Sequence, residues 1–321
     1  MHDPLDDSRL CIFTPTSRFP ELYKLYKQQI AQFWTVEEID FSTDVKQYDR
    51  ALPAIKTMVQ HILSFFAVAD AIVMENISTN FLDKVQAPEA KSMYAAQMFS
   101  ESVHAETYNK TILALIPDPK AQSELLSNVP KFKSVQAKKA FAEKWMNGDN
   151  SFGEKLVAFA FVEGLLFSAS FASIYWLKTQ NLFPGLTQSN ELIARDEGLH
   201  CEFACKLHSK LIPLNQCSEE TIHEIVLDAV RCERVFVNES IQGLDGLSAT
   251  DMCSYVEYLA DTLLTQLGVT KLFKTAMPAS MRFMDIIGVD QKTNFFESRV
   301  SEYQVHQSVN ADEWTCDDDD F

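Results

Sequence analysis

The chain has 321 residues, 46% of them hydrophobic, and 28 Lys and Arg against 45 Asp and Glu give a formal net charge of −17. Such an acidic chain repels phosphate backbones and anionic membrane surfaces, which argues against nucleic acid as a partner. Seven cysteines without CxxC spacing indicate reduced thiols and predict a cytoplasmic protein.

Helical periodicity extends along most of the chain. Apolar residues recur every three or four positions, which predicts helices at 20–34, 54–86, 88–116, 120–128, 132–147, 152–180, 187–212, 219–241 and 249–284. Prolines lie at or near the breaks, and no alternating run is long enough for a sheet. We therefore predict an all-α protein with one helical domain, residues 1–300, followed by a flexible acidic tail, residues 301–321.

The stretch LVAFAFVEGLLFSASFASIYWL, residues 156–177, is apolar apart from a few hydroxyls and Glu163. Its length would suffice to cross a bilayer, but a carboxylate in the middle of a membrane span is costly, so we expect no membrane partner. A central helix of a soluble bundle fits better. Buried there, Glu163 either takes up a proton or is compensated by a cation.

Two ExxH motifs supply further acids. Glu101 and His104 lie in ESVHAETY, and Glu197 and His200 lie in ELIARDEGLH. Residues three apart share a helix face with Cα atoms about 5 Å apart, so both side chains of a motif can reach one ion. A single ExxH is common by chance, but here each motif follows an apolar helix that carries an isolated acid.

The isolated acids are Asp70 and Glu163. Asp70 precedes Glu101 by 31 residues, and Glu163 precedes Glu197 by 34. Each interval suits a helix, a short connection and an antiparallel return. Two single acids and two ExxH motifs facing a four-helix core form the ligand set of ferritin-like di-iron and di-manganese proteins, with Asp70 in place of one Glu. Oxygen-rich ligands with one imidazole per metal favour iron or manganese over structural zinc. Glu75 is the alternative to Asp70, on a different face.

Several residues are predicted to surround this centre. Tyr108 follows Glu101 by seven residues, on the same stripe of the helix and facing the metals. Phe167 and Phe171 follow Glu163 by four and eight residues, and Ile193 precedes Glu197 by four, so these three could wall the site against water. Ordinary core packing is the alternative for all four.

The motifs resemble those of the small (beta) subunit of class I ribonucleotide reductase, of the eukaryotic or large-DNA-virus kind. The similarity covers nearly the whole chain. It runs through FWTVEEIDFS, FFAVADAIVMEN, ESVHAETYNK, FVEGLLFSASFASIYWLK, PGLTQSNELIARDEGLHCEFAC, YVEYLADTLL and KTNFFESRVSEYQ.

The resemblance implies two iron ions as cofactor and a stable tyrosyl radical at Tyr108. It implies six di-iron ligands: Asp70, Glu101, His104, Glu163, Glu197 and His200. Some relatives have Phe at the tyrosine position and use a manganese–iron centre, so manganese stays open. The resemblance also implies an internal relay of Trp34, Asp196 and His104, with Tyr303 handing over at the interface. Each residue has a simpler alternative. Trp34 only packs, Asp196 only caps a helix or pairs with Arg195, and Tyr303 is an incidental aromatic residue of the tail.

The family also implies partners: a large (alpha) subunit, where ribonucleotides are reduced to deoxyribonucleotides, and a second copy of the chain in a homodimer. The tail suits docking to the large subunit, because Trp314 and Phe321 flank the acidic run 317–320. A merely solubilising tail is the alternative. Two other functions stay open: a di-metal oxidase acting on a small molecule, and a ferritin-like iron store.

Overall fold

The computed structural model describes residues 3–7, 9, 17–241 and 243–284. The α-helices in these ranges are α1 (Pro20–Ala31), α2 (Ser42–Arg50), α3 (Pro53–Asn76), α4 (Pro88–Leu115), α5 (Pro119–Asn128), α6 (Lys133–Trp145), α7 (Phe152–Gly164), α8 (Ser168–Thr179), α9 (Pro184–Lys210), α10 (Glu219–Ser240) and α11 (Ala249–Gln266). A π-helical segment, Ile77–Leu82, extends α3. No strand occurs among the described residues, and the predicted all-α class is confirmed.

Prolines and capping side chains determine where the helices begin. Pro occupies the first turn of α1, α3, α4, α5 and α9, where its missing N–H costs no hydrogen bond. Ahead of α7, Ser151 and Glu154 form a capping box in which each side chain accepts the other's backbone N–H. The buried Asp44 carboxylate accepts the backbone N–H groups of Gly185 and Leu186 at 2.9 and 2.7 Å, which satisfies the start of α9.

Four helices form the centre of the bundle. Helix α3 packs on α4, α7 packs on α9, and α4 contacts α9. Helix α1 covers α4 and α9, while α10 packs against α6 and α7. The core residues therefore lie between elements far apart in the chain.

Two helical stretches, Pro53–Leu82 and Phe152–Thr179, are long and apolar enough to span a membrane by composition. In the second, 89% of the most apolar window is buried inside the protein, against 59% in the first. Their packing on α4 and α9 accounts for this hydropathy as that of core helices.

The structure corrects two predicted helices and adds one that was not predicted. The predicted helix 152–180 is two helices, because the chain breaks between Gly164 and Ser168. Helix α2 was not predicted, since only Asp44 and Tyr48 of its nine residues are buried and its apolar pattern is weak. The predicted helix 249–284 ends at Gln266, because Gly268 turns the chain at φ +77°.

Candidate metal centre and radical relay

Six buried carboxyl and imidazole side chains from four helices meet at the centre of the bundle. They are Asp70 on α3, Glu101 and His104 on α4, Glu163 on α7, and Glu197 and His200 on α9. None is more than 4% exposed. Each predicted ligand lies in this cluster, whereas the alternative, Glu75, lies outside it on another face of α3.

The cluster divides into two groups, in each of which the candidate ligand atoms lie within 4.8 Å of one another. One group comprises Asp70, Glu101 and His104. The other comprises Glu101, Glu163, Glu197 and His200. Glu101 belongs to both groups, so it would be a candidate ligand of either ion.

The two ExxH motifs interlock across the bundle. His104 Nδ1 lies 3.2 Å from Glu101 Oε2 of its own motif and 3.1 Å from Glu197 Oε1 of the other. His200 Nδ1 lies 3.2 Å from Glu197 Oε2 and 3.0 Å from Glu101 Oε1. Helix geometry brings together the partners within a motif, and the packing of α4 on α9 supplies the second carboxylate for each histidine.

Without a cation, the charged forms of the buried carboxyl groups in this cluster are disfavoured by burial and by their mutual repulsion. Burial, reinforced by the charge of Glu101, raises the pKa of Asp70 well above its ordinary value. Burial and the charge of Glu197 likewise raise the pKa of Glu163. Burial opposes the charged form of His200, but the charge of Glu101 and hydrogen bonds to Glu101 and Glu197 raise its pKa to about 9. Positive charge is therefore favoured throughout this site.

The residues present fit two divalent cations. Asp70 Oδ2, Glu163 Oε2 and His200 Nε2 are buried and have no hydrogen-bond partner in the part of the chain that the structure describes. Such orphaned atoms are costly unless an ion or water satisfies them. Four carboxylates and two imidazoles form a donor set typical of iron or manganese, and no thiolate joins them within the described residues.

A hydrogen-bonded chain leads from the cluster toward the surface. His104 turns Nε2 away from Glu101 and places it 3.2 Å from Asp196 Oδ2. The same carboxylate oxygen accepts the indole N–H of Trp34 at 2.8 Å. Arg195 contacts Asp196 Oδ1 at 3.3 Å, so pairing with Arg195 and contact with the histidine coexist. Trp34 is buried but lines a cavity of ≈ 360 Å³.

Tyr108 is a buried residue of α4, 3% exposed. Its ring stacks on Phe66, with centroids 4.5 Å apart. Phe167 and Phe171 also pack on Phe66, with ring centroids 5.7 and 5.4 Å from that of Phe66. Burial and then the charge of Asp70 raise the pKa of Tyr108 well above its ordinary value. The phenol is therefore held protonated in an apolar pocket.

The remaining predicted residues are placed as follows. Ile193 is fully buried on α9, one turn before Glu197. Tyr303, Trp314 and Phe321 lie outside the described residues. The division into domain and tail at residue 300 therefore stays a prediction.

Sequence reasoning missed three residues at this site. Phe66 stacks on Tyr108, Gln97 donates its side-chain N–H to Glu163 Oε1 at 3.1 Å, and the Ser100 hydroxyl lies 3.2 Å from His104 Nε2. Each precedes a predicted ligand by four residues: Phe66 before Asp70, Gln97 before Glu101 and Ser100 before His104. That i−4 spacing is the signal that could have identified them.

The helical bundle and the carboxylate-rich site define a protein of the ferritin-like dinuclear-metal class. The family described as "Ribonucleotide reductase, small chain" matches residues 13–279. This chain belongs to that family.

The chain is similar to several named proteins over most of their length. The ribonucleoside-diphosphate reductase small chain of Nicotiana tabacum is 42% identical over 320 residues, 98% of this chain and 95% of that protein. Subunit M2 of Homo sapiens is also 42% identical, covering 94% of this chain and 78% of that one. Among solved structures, the Rnr4 homodimer from Saccharomyces cerevisiae has a TM-score of 0.80 at 30% identity, covering 94% of this chain and 92% of that one.

A more distant structure shares the fold alone. The dimanganese(II)-NrdF of Streptococcus sanguinis has a TM-score of 0.76 at 18% identity, covering 86% of this chain and 99% of that one. The helical architecture is therefore retained at low sequence similarity.

Proposed function

We propose that the chain is the radical-generating small subunit of a ribonucleoside-diphosphate reductase. One observation carries this proposal: a buried cluster of candidate metal ligands has charges that act on the phenol of Tyr108, and its His104 contacts Asp196, which binds Trp34. A metal store needs neither the apolar tyrosine pocket nor the hydrogen-bonded chain. The family membership and the names of the relatives support the same function.

Two iron ions are the proposed cofactor, with manganese as the alternative metal. The proposed ligands are Asp70, Glu101, His104, Glu163, Glu197 and His200. When bound, such a redox-active pair supplies, together with dioxygen, the oxidising power that removes one electron and one proton from a nearby phenol. Gln97 orients Glu163 by donating a hydrogen bond to its carboxylate, and Asp196 orients His104 through its contact with the imidazole.

Tyr108 is the proposed site of the stable radical. The stacked ring of Phe66 covers the phenol, and Phe167 and Phe171 pack on that ring. This apolar enclosure keeps water and reductants away, so a radical formed there would persist. Ile193 is proposed to close the pocket from the α9 side.

Trp34, Asp196 and His104 are the proposed relay to the large subunit. Asp196 accepts the indole N–H of Trp34 and lies 3.2 Å from His104 Nε2, which holds the three groups in line. At the outer end, the partly exposed rings of Phe33 and Phe99 stack at 5.6 Å beside the cavity that Trp34 lines. An apolar rim of this kind suits contact with a protein partner.

The proposed partners are the large (alpha) subunit and a second copy of the chain. Tyr303 is proposed to carry the oxidising equivalent across the subunit interface, and Trp314 and Phe321 to anchor the tail in the large subunit. The similar yeast protein Rnr4 was solved as a homodimer, which supports a dimer here. We propose a cytoplasmic location, with neither nucleic acid nor a membrane as partner.

The test is an electron paramagnetic resonance spectrum after ferrous iron and oxygen are added to the purified chain. We expect about two irons per chain and a tyrosyl signal in the parent, and iron without the signal in Tyr108→Phe. Metal binding without a tyrosyl signal in the parent would contradict the radical proposal and favour an oxidase or an iron store. The matched control is Tyr94→Phe, because Tyr94 is another fully buried tyrosine on α4.

A further inference from the structure

The helix that carries Glu163, α7, ends one residue later, at Gly164. Helix α8 begins at Ser168, with Leu165 at φ −127°. Both Leu165 and Leu166 donate their backbone N–H to Phe161 O at 3.0 Å. The break therefore sets the angle at which the chain passes from Glu163, in the ligand cluster, to Phe167, which with Phe171 and Phe66 forms the aromatic wall.

A buried ion pair from two other helices holds this break. Lys138 on α6 is 7% exposed, Glu233 on α10 is fully buried, and Lys138 Nζ lies 2.9 Å from Glu233 Oε2. Lys138 also donates a hydrogen bond to Leu166 O. Glu233 Oε1 accepts the backbone N–H of Ala169 at 2.9 Å. The pair thus binds the backbone carbonyl of Leu166, within the break, and the backbone amide of Ala169, in the first turn of α8.

The same lysine contacts two rings next to the aromatic wall. Its ammonium lies 3.9 Å from the ring centroid of Phe65 and 4.4 Å from that of Phe236. Phe65 in turn packs on Phe167, with centroids 5.6 Å apart. Displacement of Lys138 would therefore disturb both the backbone at Leu166 and the packing of Phe167.

The stability of the fold does not by itself explain why Lys138 and Glu233 are both buried. Burial lowers the pKa of Lys138 and raises that of Glu233, while the contact between the two groups, together with the Ala169 N–H bound to Glu233, opposes both shifts. Apolar residues of similar volume often replace a buried ion pair without loss of stability. The directed contacts to Leu166 and Ala169 are what an apolar pair could not reproduce.

We propose that Lys138 and Glu233 are positioning residues for the metal centre. By fixing the helix break, they hold Glu163 in its ligand position and Phe167 in the aromatic wall. This inference rests on the proposed function, because it assumes that Glu163 binds metal. It adds to the site two residues that lie 25 residues or more from any predicted ligand in the sequence.

The test compares two double variants of the full chain. Lys138→Met with Glu233→Met removes the buried pair. Lys139→Met with Glu143→Met removes a neighbouring pair on α6 that is exposed, 70% and 58%, with its charges 3.6 Å apart. Measurements are thermal unfolding without metal, Mn²⁺ binding followed by the signal of free Mn²⁺, and amide hydrogen exchange across residues 161–171.

We expect the buried double variant to unfold within a few degrees of the parent. Its Mn²⁺ affinity should fall about tenfold, the usual scale for loss of a supporting contact around a metal, and exchange at 165–169 should accelerate. The exposed control should match the parent in all three. Parent-like Mn²⁺ affinity and parent-like exchange in the buried double variant would overturn the proposal.

A single substitution guards against failure of the double variant to fold. Glu233→Gln keeps a carbonyl that can accept the Ala169 N–H, so we expect it to bind Mn²⁺ more tightly and exchange more slowly at 165–169 than Glu233→Leu. Equal values for these two variants would also overturn the proposal. Absence of Mn²⁺ binding by the parent would instead refute the metal centre, while the exchange rates would still decide whether the pair holds the break.

Discussion

Substitution of Trp34 by Phe separates a relay role from simple packing. The indole N–H donates to the buried, charged Asp196 at 2.8 Å, and Phe lacks that donor. A hydrogen bond to a charged group contributes about 1.5–3 kcal/mol, so we expect the free energy of unfolding to fall by about 2 kcal/mol. Asp196 keeps its contacts with His104 and Arg195, so the fold and the ligand cluster should persist.

The assays are thermal unfolding, iron content, the tyrosyl signal, and reduction of a ribonucleoside diphosphate with the large subunit. We expect Trp34→Phe to bind iron and form the radical but to lose turnover. Trp145→Phe is the matched control. Trp145 is also buried, and it donates its indole N–H to the carboxylate of Asp228 at 3.1 Å, in a part of the protein outside the ligand cluster. Turnover by Trp34→Phe equal to that of Trp145→Phe would refute the relay.

Three further predictions address the tail, the acid response and the helix break. Deletion of residues 306–321 should abolish turnover with the large subunit while leaving the tyrosyl signal intact, and retained turnover would contradict docking by the tail. Burial lowers the pKa of His208 from 6.5 to about 4, so its neutral form contributes about 3 kcal/mol above pH 6.5 that is lost as the pH falls toward 4. Unfolding titrations of His208→Gln should show a weaker acid dependence over that window, and an unchanged slope would exclude His208 as its source. Gly164→Ala would place a Cβ 2.7 Å from Cys201 Sγ, so we expect a loss of about 1–3 kcal/mol in urea unfolding, partly recovered by adding Cys201→Ala. Parent-like stability of Gly164→Ala would show that this contact relaxes freely.

The buried histidine illustrates the sign of that acid effect. His208 Nε2 accepts the backbone N–H of Cys217 at 2.9 Å, which requires this nitrogen to be unprotonated. The unfolded chain binds a proton near pH 6.5, before the folded chain does, so acidification favours unfolding. His208→Gln retains an acceptor but does not titrate in this range.

The acids of the candidate metal centre could be predicted from sequence because helix geometry is local. His follows Glu by three positions in each ExxH motif, and Tyr108 follows Glu101 by seven. These spacings fix which side chains share a face, whatever the rest of the fold does. The isolated acid Glu163 in an apolar stretch carried further information, because burial of a charge demands compensation.

Tertiary packing decided which side chains of different helices come into contact. The contact of His104 with Glu197 joins α4 to α9, and the ring against Tyr108 is that of Phe66 on α3, on which the predicted Phe167 packs. Neither contact follows from spacing along one helix. Both depend on how the side chains of facing helices interdigitate.

The break after Glu163 is the clearest case of this division. The apolar run 156–177 has the composition of one continuous helix, and its periodicity alone gave no reason to divide it. Lys138 and Glu233, remote in sequence, offer the backbone at Leu166 and Ala169 alternative hydrogen-bond partners. The sequence thus determined the fold class, the candidate ligand residues and their helix faces, because these follow from covalent geometry over a few residues. Only the tertiary structure decided the bend at the site, because buried backbone groups leave helical geometry only where other elements satisfy their hydrogen bonds.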